Sequence, residues 1–187
     1  SAALAQLRFA LLHAPADVSR EDSLQTFASG VFDRVLCDPP LGYYVDVAGR
    51  RGVQAGRRVE TLFLERSLDA LAPGGRAVVL VTQAVLSRRG EERILRKQIL
   101  DSGELEAVIA LPASAVAWTA NDMAILVLSR GKRNESIRMF DGTRFRNVRG
   151  LRTSNQVLAA IREAFEAGDP DNCQDVSDVT LKEADTW

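Results

Sequence analysis

Val31-Phe32-Asp33-Arg34-Val35-Leu36-Cys37-Asp38-Pro39-Pro40-Leu41-Gly42 is the stretch on which the fold turns. Residues 31–37 are mostly apolar and do not alternate, the pattern of a parallel strand buried on both faces. Asp38 stands where that strand ends, and two prolines follow. Each proline fixes its own φ and restrains the residue before it, so Asp38 and Pro39 are held extended. Neither proline carries an N–H, which leaves the carbonyls of Asp38 and Pro39 as acceptors with no competing donor between them. A carboxylate beside free carbonyls can hold an amino group. Ligands of open α/β sheets bind outside the carboxyl ends of the strands.

Asp38-Pro39-Pro40-Leu41 after an apolar strand resembles the (Asp/Asn/Ser)-Pro-Pro-(aromatic) motif of S-adenosylmethionine-dependent amino-methyltransferases. The surroundings look most like the modification subunit of type I restriction–modification systems, which methylates the exocyclic amine of adenine in DNA. The resemblance implies that Asp38, Pro39, Pro40 and Leu41 form the catalytic turn, the Asp38 side chain and the Pro39 carbonyl accepting from the amine. It implies direct in-line transfer of the methyl group. It also implies cofactor contacts from Asp22 and Ser23, in an acidic-Ser-Leu turn upstream of the strand, together with Asp38 and Pro39. Independently of any family, an Asp at position 22 caps the next turn. The fourth motif position is normally aromatic and stacks on the flipped base. Here it is Leu41, which makes Tyr43 and Tyr44 the alternative stacking groups and leaves a degenerate, DNA-binding scaffold as a rival reading. A protein-glutamine methyltransferase, which uses a similar turn, is the other.

The 187 residues suit one domain, and 46% hydrophobic with 26% charged side chains is the composition of an ordinary globular protein. No apolar run approaches the ~18 residues of a membrane span. Cys37 and Cys173 give neither a disulfide framework nor a metal-ligand spacing, which suits a reducing cytoplasm; no metal site is expected. The net charge of −1 conceals a division: residues 50–152 hold 19 basic against 11 acidic side chains, whereas the segments on either side are acidic. A basic middle suits a polyanion such as DNA, and equally an Arg-rich solvated surface. Loop 42–58 interleaves Tyr43 and Tyr44 with Arg50, Arg51, Arg57 and Arg58, a composition fit for an unpaired base and its phosphates.

In chain order, residues 1–13 read as a helix with an apolar stripe of Leu4, Leu7, Phe9, Leu11 and Leu12. His13, at its end, is assigned to the helix dipole rather than to chemistry. Residues 60–71 read as a helix with Leu62, Phe63, Leu68 and Leu71 inward, stopped at Pro73-Gly74-Gly75. Strands follow at 77–81, 105–111, 123–128 and 137–140, with helices at 91–100 and 154–167. The pair 105–111 and 123–128 is expected as an antiparallel hairpin at the sheet edge, its loop carrying Trp118 and Asn121 toward the target nucleotide. Residues 173–187 read as an extended or frayed acidic tail.

These elements make an α/β fold with a mostly parallel sheet and an antiparallel edge hairpin: a partial Rossmann-like S-adenosylmethionine-dependent methyltransferase fold. The family's strand order is 3-2-1-4-5-7-6, with the Asp-Pro-Pro strand fourth. Its glycine-rich cofactor loop is not found here, since Gly49, Gly52 and Gly56 follow no strand. Residues 1–152 are therefore expected to be the C-terminal part of a catalytic domain, with weak or no cofactor binding alone, and 153–187 a helix plus tail. The first strand being absent, the edge of the Asp-Pro-Pro strand is expected to be covered by a second copy or by residues 1–30. The further partners implied are DNA and the specificity and restriction subunits; no membrane partner is implied.

Overall fold

The computed structural model describes residues 2–26, 28–45, 56–113, 115–116, 119–147, 153–184 and 187. Its centre is a six-stranded sheet in the order β1-β4-β6-β5-β7-β8. The strands are β1 (Phe32–Cys37), β4 (Leu71–Thr82), β5 (Leu105–Leu111), β6 (Met123–Ser129), β7 (Ser136–Asp141) and β8 (Cys173–Ser177). Four run the same way; β6 and β8 run against them. The succession β1, β4, β6, β5 reproduces the 4-5-7-6 half of the order expected from the family. The β5–β6 pairing is antiparallel as expected, but β7 and β8 continue the sheet beyond it. A separate two-stranded ladder joins β2 (Tyr44–Val45) to β3 (Arg57–Arg58).

Helices cover both faces. On one, α2 (Val59–Ala70), α3 (Ala84–Ser87), α4 (Glu91–Ser102) and α6 (Asp178–Ala184) bury Leu64, Leu68, Val85, Leu95, Ile99 and Leu181 against Val79, Val81, Leu126 and Leu128. On the other, α5 (Ser154–Ala167) buries Val157 and Ile161 against Ile109, Leu111, Met123 and Phe140. The inward face of α2 is set by Leu64 and Leu68 rather than by Leu62 and Phe63, which are half-buried. α5 starts where Thr153 and Gln156 form a reciprocal capping box and ends at left-handed Gly168. No helix among the described residues is long and apolar enough to cross a membrane.

β1 is not the doubly covered strand that its run of apolar residues suggests. Among the described residues it is the outermost strand and pairs only with β4; Phe32 is 47% and Leu36 86% exposed. Val35 and Cys37 alone turn toward the core. The described residues of 1–30 do not pair with β1, so they do not make the expected cover. α1 (Ala2–Leu11) buries none of its side chains, so the stripe from Leu4 to Leu12 stays in solvent. Its end is explained by His13 at φ 51°, with the Ala14 N–H returning to the Phe9 carbonyl at 3.0 Å.

The Pro73-Gly74-Gly75 segment is part of β4, where the β1 register shifts between Phe32 and Arg34. Two reciprocal backbone bonds, Gly74 N–H to the Arg130 carbonyl and Arg130 N–H to the Gly75 carbonyl, both 2.9 Å, tie the bend to the end of β6. The described residues of the acidic tail are not frayed: β8 pairs with β7, α6 packs on α4, and Trp187 packs against the core.

Candidate active site at the end of the first strand

β1 delivers Asp38 to the carboxyl end of the sheet, where Thr82 closes β4 and Met123 opens β6 beside it. Asp38 is exposed, Pro39 is buried, and Pro40 and Leu41 are half-buried. The prolines anchor the turn in the protein while the carboxylate stays accessible. Leu41 packs against the cluster of Ala115 and Met123. It is a wall of the turn rather than a free platform. Cys37, just before the corner, has its thiol pushed up by burial; a hydrogen bond with Ser67 opposes the shift and the Asp38 charge adds to it.

Two cavities flank the corner. Pro40 lines one of about 440 Å³ together with Glu21, Asp22, Ser23, Val45, Val59 and Phe63. That volume lies within the roughly 300–1,000 Å³ of small-molecule sites. Gly42 lines the other, of about 270 Å³, with Arg58, Glu60, Thr82, Arg88 and Asn121. Asp38 itself lines neither. The structure thus brings Asp22 and Ser23 to one side of the turn and Asn121 to the other.

Asp22 also does what an Asp at a turn does by itself. Its Oδ1 accepts from the Leu24 N–H and its Oδ2 from Gln25 Nε2, both at 3.0 Å. Carboxylates and a hydroxyl over Val45, Val59 and Phe63 suit a ligand with donor groups on an apolar body, which is the character of S-adenosylmethionine's adenosine. On this side the residues present fit the cofactor.

Arg57 and Arg58 are less free than their sequence suggests. Arg57 Nη1 donates to Glu65 Oε2 and its Nε to Glu91 Oε2, each at 2.9 Å. The Glu65 bond holds its pKa above the ordinary guanidinium value, against desolvation, and Glu91 adds to this. Arg58 lies 4.5 Å from the Tyr44 ring centroid, with Nε 3.2 Å from Glu92 Oε1: close enough for charge pairing, without hydrogen-bond alignment. Together these contacts pin β3 to α2 and α4. Tyr43 is exposed beside the corner and Tyr44 is half-buried beneath Arg58. Asn121 is exposed, its N–H donating to Thr119 Oγ1 at 3.1 Å. Arg50, Arg51 and Trp118 lie outside the described residues.

Sequence reasoning passed over Glu60, Thr82 and Arg88. Thr82 was within reach, because it ends a strand at the edge where ligands bind. Glu60 was not: an acid in a helix's first turn reads as a surface partner of the dipole.

A model of the N-6 DNA methylase family matches residues 16–181. The methylase subunit of the type I restriction enzyme MpnII of Mycoplasma pneumoniae is 26% identical over 113 residues, 59% of this chain and 21% of that protein. The type I methyltransferase subunit of Streptococcus thermophilus superposes with a TM-score of 0.78 at 20% identity, over 98% of this chain and 44% of that one. A Listeria monocytogenes protein described as a class I S-adenosylmethionine-dependent methyltransferase gives 0.62 at 22% identity, over 87% and 51%. The chain therefore spans about a fifth of the first relative and under half of the second. The solved structures establish the fold as the α/β fold of S-adenosylmethionine-dependent methyltransferases. The family match takes in nearly all of the sequence, and the chain belongs to the N-6 DNA methylase family.

Proposed function

We propose that this chain carries the target-binding part of an adenine-N6 DNA methyltransferase of a type I restriction–modification system. One observation carries the reading: a proline-stiffened acidic corner, exposed at the carboxyl end of β1, stands between two cavities. The Asp38 carboxylate and the Pro39 carbonyl accept hydrogen bonds from the exocyclic amine and keep its lone pair directed at the methyl donor. S-adenosylmethionine supplies an electrophilic methyl group on a sulfonium. The Asp22 and Ser23 turn contacts its adenosine, with Pro40 closing the same cavity. Tyr43 covers the base drawn from the duplex, a step that costs a few kcal/mol recovered by stacking and phosphate contacts. Holding the amine in line can supply up to ~7–11 kcal/mol of the barrier reduction.

In this reading residues 1–152 are the C-terminal part of the catalytic domain and a further segment supplies the glycine-rich cofactor loop. The open edge of β1 is then where the domain's first strand pairs, or where a second copy adds its own β1. DNA and the specificity and restriction subunits are the partners, and the cytoplasm is the location. Leu41 supports a second reading, a scaffold that binds DNA without catalysis, since a leucine packed against the cluster of Ala115 and Met123 offers no aromatic face at the motif's fourth position. Methyl transfer to DNA by the gene product, compared with its Asp38→Ala variant, tests the first reading. S-adenosylmethionine binding by the same product separates the two.

A further inference from the structure

The ladder of β2 and β3 is two residue pairs long, too short to hold itself in place. What holds it is charge. Arg57 donates to both carboxylate oxygens of Glu65 on α2, from Nη1 at 2.9 Å and from Nη2, and its Nε donates to Glu91 at the start of α4 at 2.9 Å. A planar guanidinium met by a carboxylate in this two-pronged way fixes angle and distance as well as adding energy. Burial of Val45 and Val59 draws the ladder inward, whereas the Arg57 fork sets where along α2 it stops.

The same ladder is a wall of the 440 Å³ cavity beside Pro40. Val45 stands directly across the ladder from Arg57 and lines that cavity from the strand side, while Val59 and Phe63 line it from α2. The Arg57–Glu65 pair bridges strand and helix, so it sets the distance between those walls. Arg57 itself is not among the described residues that line the cavity. Nor is it placed to hold a DNA phosphate. Two carboxylates around one guanidinium leave one negative charge in excess, which repels an anion.

Resting on the methyltransferase reading above, we infer that Arg57 is a positioning residue: clasped by Glu65 and Glu91, it holds Val45 at the cofactor's side of the Asp38 corner and so sets affinity for S-adenosylmethionine rather than for DNA. Glu91 extends the clasp to α4, so three elements converge on one guanidinium.

The gene product containing this chain, compared with its Arg57→Met and Arg57→Lys variants, tests this in two ways. Amide exchange at Val59, whose N–H is bonded to the Tyr43 carbonyl at 3.1 Å, reads the ladder directly. Arg57→Met should speed that exchange with circular dichroism unchanged, and Arg57→Lys, which keeps the charge without the fork, should fall between. Calorimetric binding of S-adenosylmethionine should weaken about three- to tenfold in Arg57→Met, with kcat at saturating cofactor retained. The salt dependence of DNA binding should keep its slope, whereas a lost phosphate contact would lower it by about one. Glu65→Gln should reproduce both effects if Arg57→Met does not fold. Val59 exchange at the parent's rate, unchanged cofactor binding, or a lowered salt slope would each overturn the assignment. A parent product that binds no cofactor refutes the proposed activity instead, and Val59 exchange then decides whether Arg57 positions the ladder.

Discussion

A methyl group added at Gly75 would stand 2.8 Å from the Phe32 carbonyl oxygen, 2.9 Å from that of Ala72 and 3.2 Å from Leu71 Cδ2. Comfortable C···O contacts begin near ~3.3 Å. The two oxygens belong to backbone, so relief must come from moving a strand. β1 is the one able to move, since among the described residues it pairs on a single side. Overpacking of this kind costs about 1–3 kcal/mol, which at ~2–4 °C per kcal/mol for a chain of this size is a fall in Tm of roughly 2–12 °C. Gly74→Ala is the control. It meets nothing within 4 Å but sits at φ 79°, so its cost is conformational, about 1–2 kcal/mol, and local. Thermal melts should be paired with amide-exchange protection at Val35–Cys37. Gly75→Ala should lower both stability and the protection of β1, and Gly74→Ala stability alone. A Gly75→Ala protein as stable as its parent, with β1 protection unchanged, would refute the claim that this glycine seats β1 on β4.

Leu36→Lys should change stability by less than about 0.5 kcal/mol, because the side chain is 86% exposed. It should also suppress concentration-dependent association in sedimentation; association that persists unchanged would exclude β1 as a contact edge. Thr153→Ala removes a hydroxyl that accepts from the Gln156 N–H at 3.3 Å, and should cost ~1 kcal/mol, seen as a lower urea midpoint at constant slope. Thr153→Ser should restore it. Burial raises the Cys37 pKa, so its stabilising effect is complete below the ordinary thiol value of about 8.5 and is lost as pH climbs through the raised one. Alkylation of Cys37 at pH 8.5, followed by mass spectrometry, should be slower than for a free thiol and faster in Asp38→Asn. Labelling at the free-thiol rate would contradict the burial.

Elements whose ends carry their own chemistry were legible in the sequence. β5 and α5 occupy the residues expected of them, α5 because Thr153, Gln156 and Gly168 mark its boundaries. What depended on neighbours was not. A run of apolar residues reads as covered on both faces, yet whether β1 has a second partner is decided elsewhere in the chain, and it has none among the described residues. The segment Cys173–Ser177 read as a tail because an edge strand with a solvated face needs few apolar residues. On α2, Leu62 and Phe63 compete with Leu64 for the core, and only packing chooses. At the site, Asp38 was visible because prolines leave a signature. Glu60 was hidden because an acid in a helix's first turn reads as exposed, whereas here it is 1% exposed.

The central claim is that the Asp38 corner grips an amine for methylation. Its most direct test is transfer of a labelled methyl group from S-adenosylmethionine to adenine in duplex DNA, by the gene product containing this chain and by its Asp38→Ala variant. Asp38 is exposed, so the variant should keep the parent's circular dichroism and melting temperature while transfer disappears. Transfer at the parent's rate in a folded variant would contradict the account.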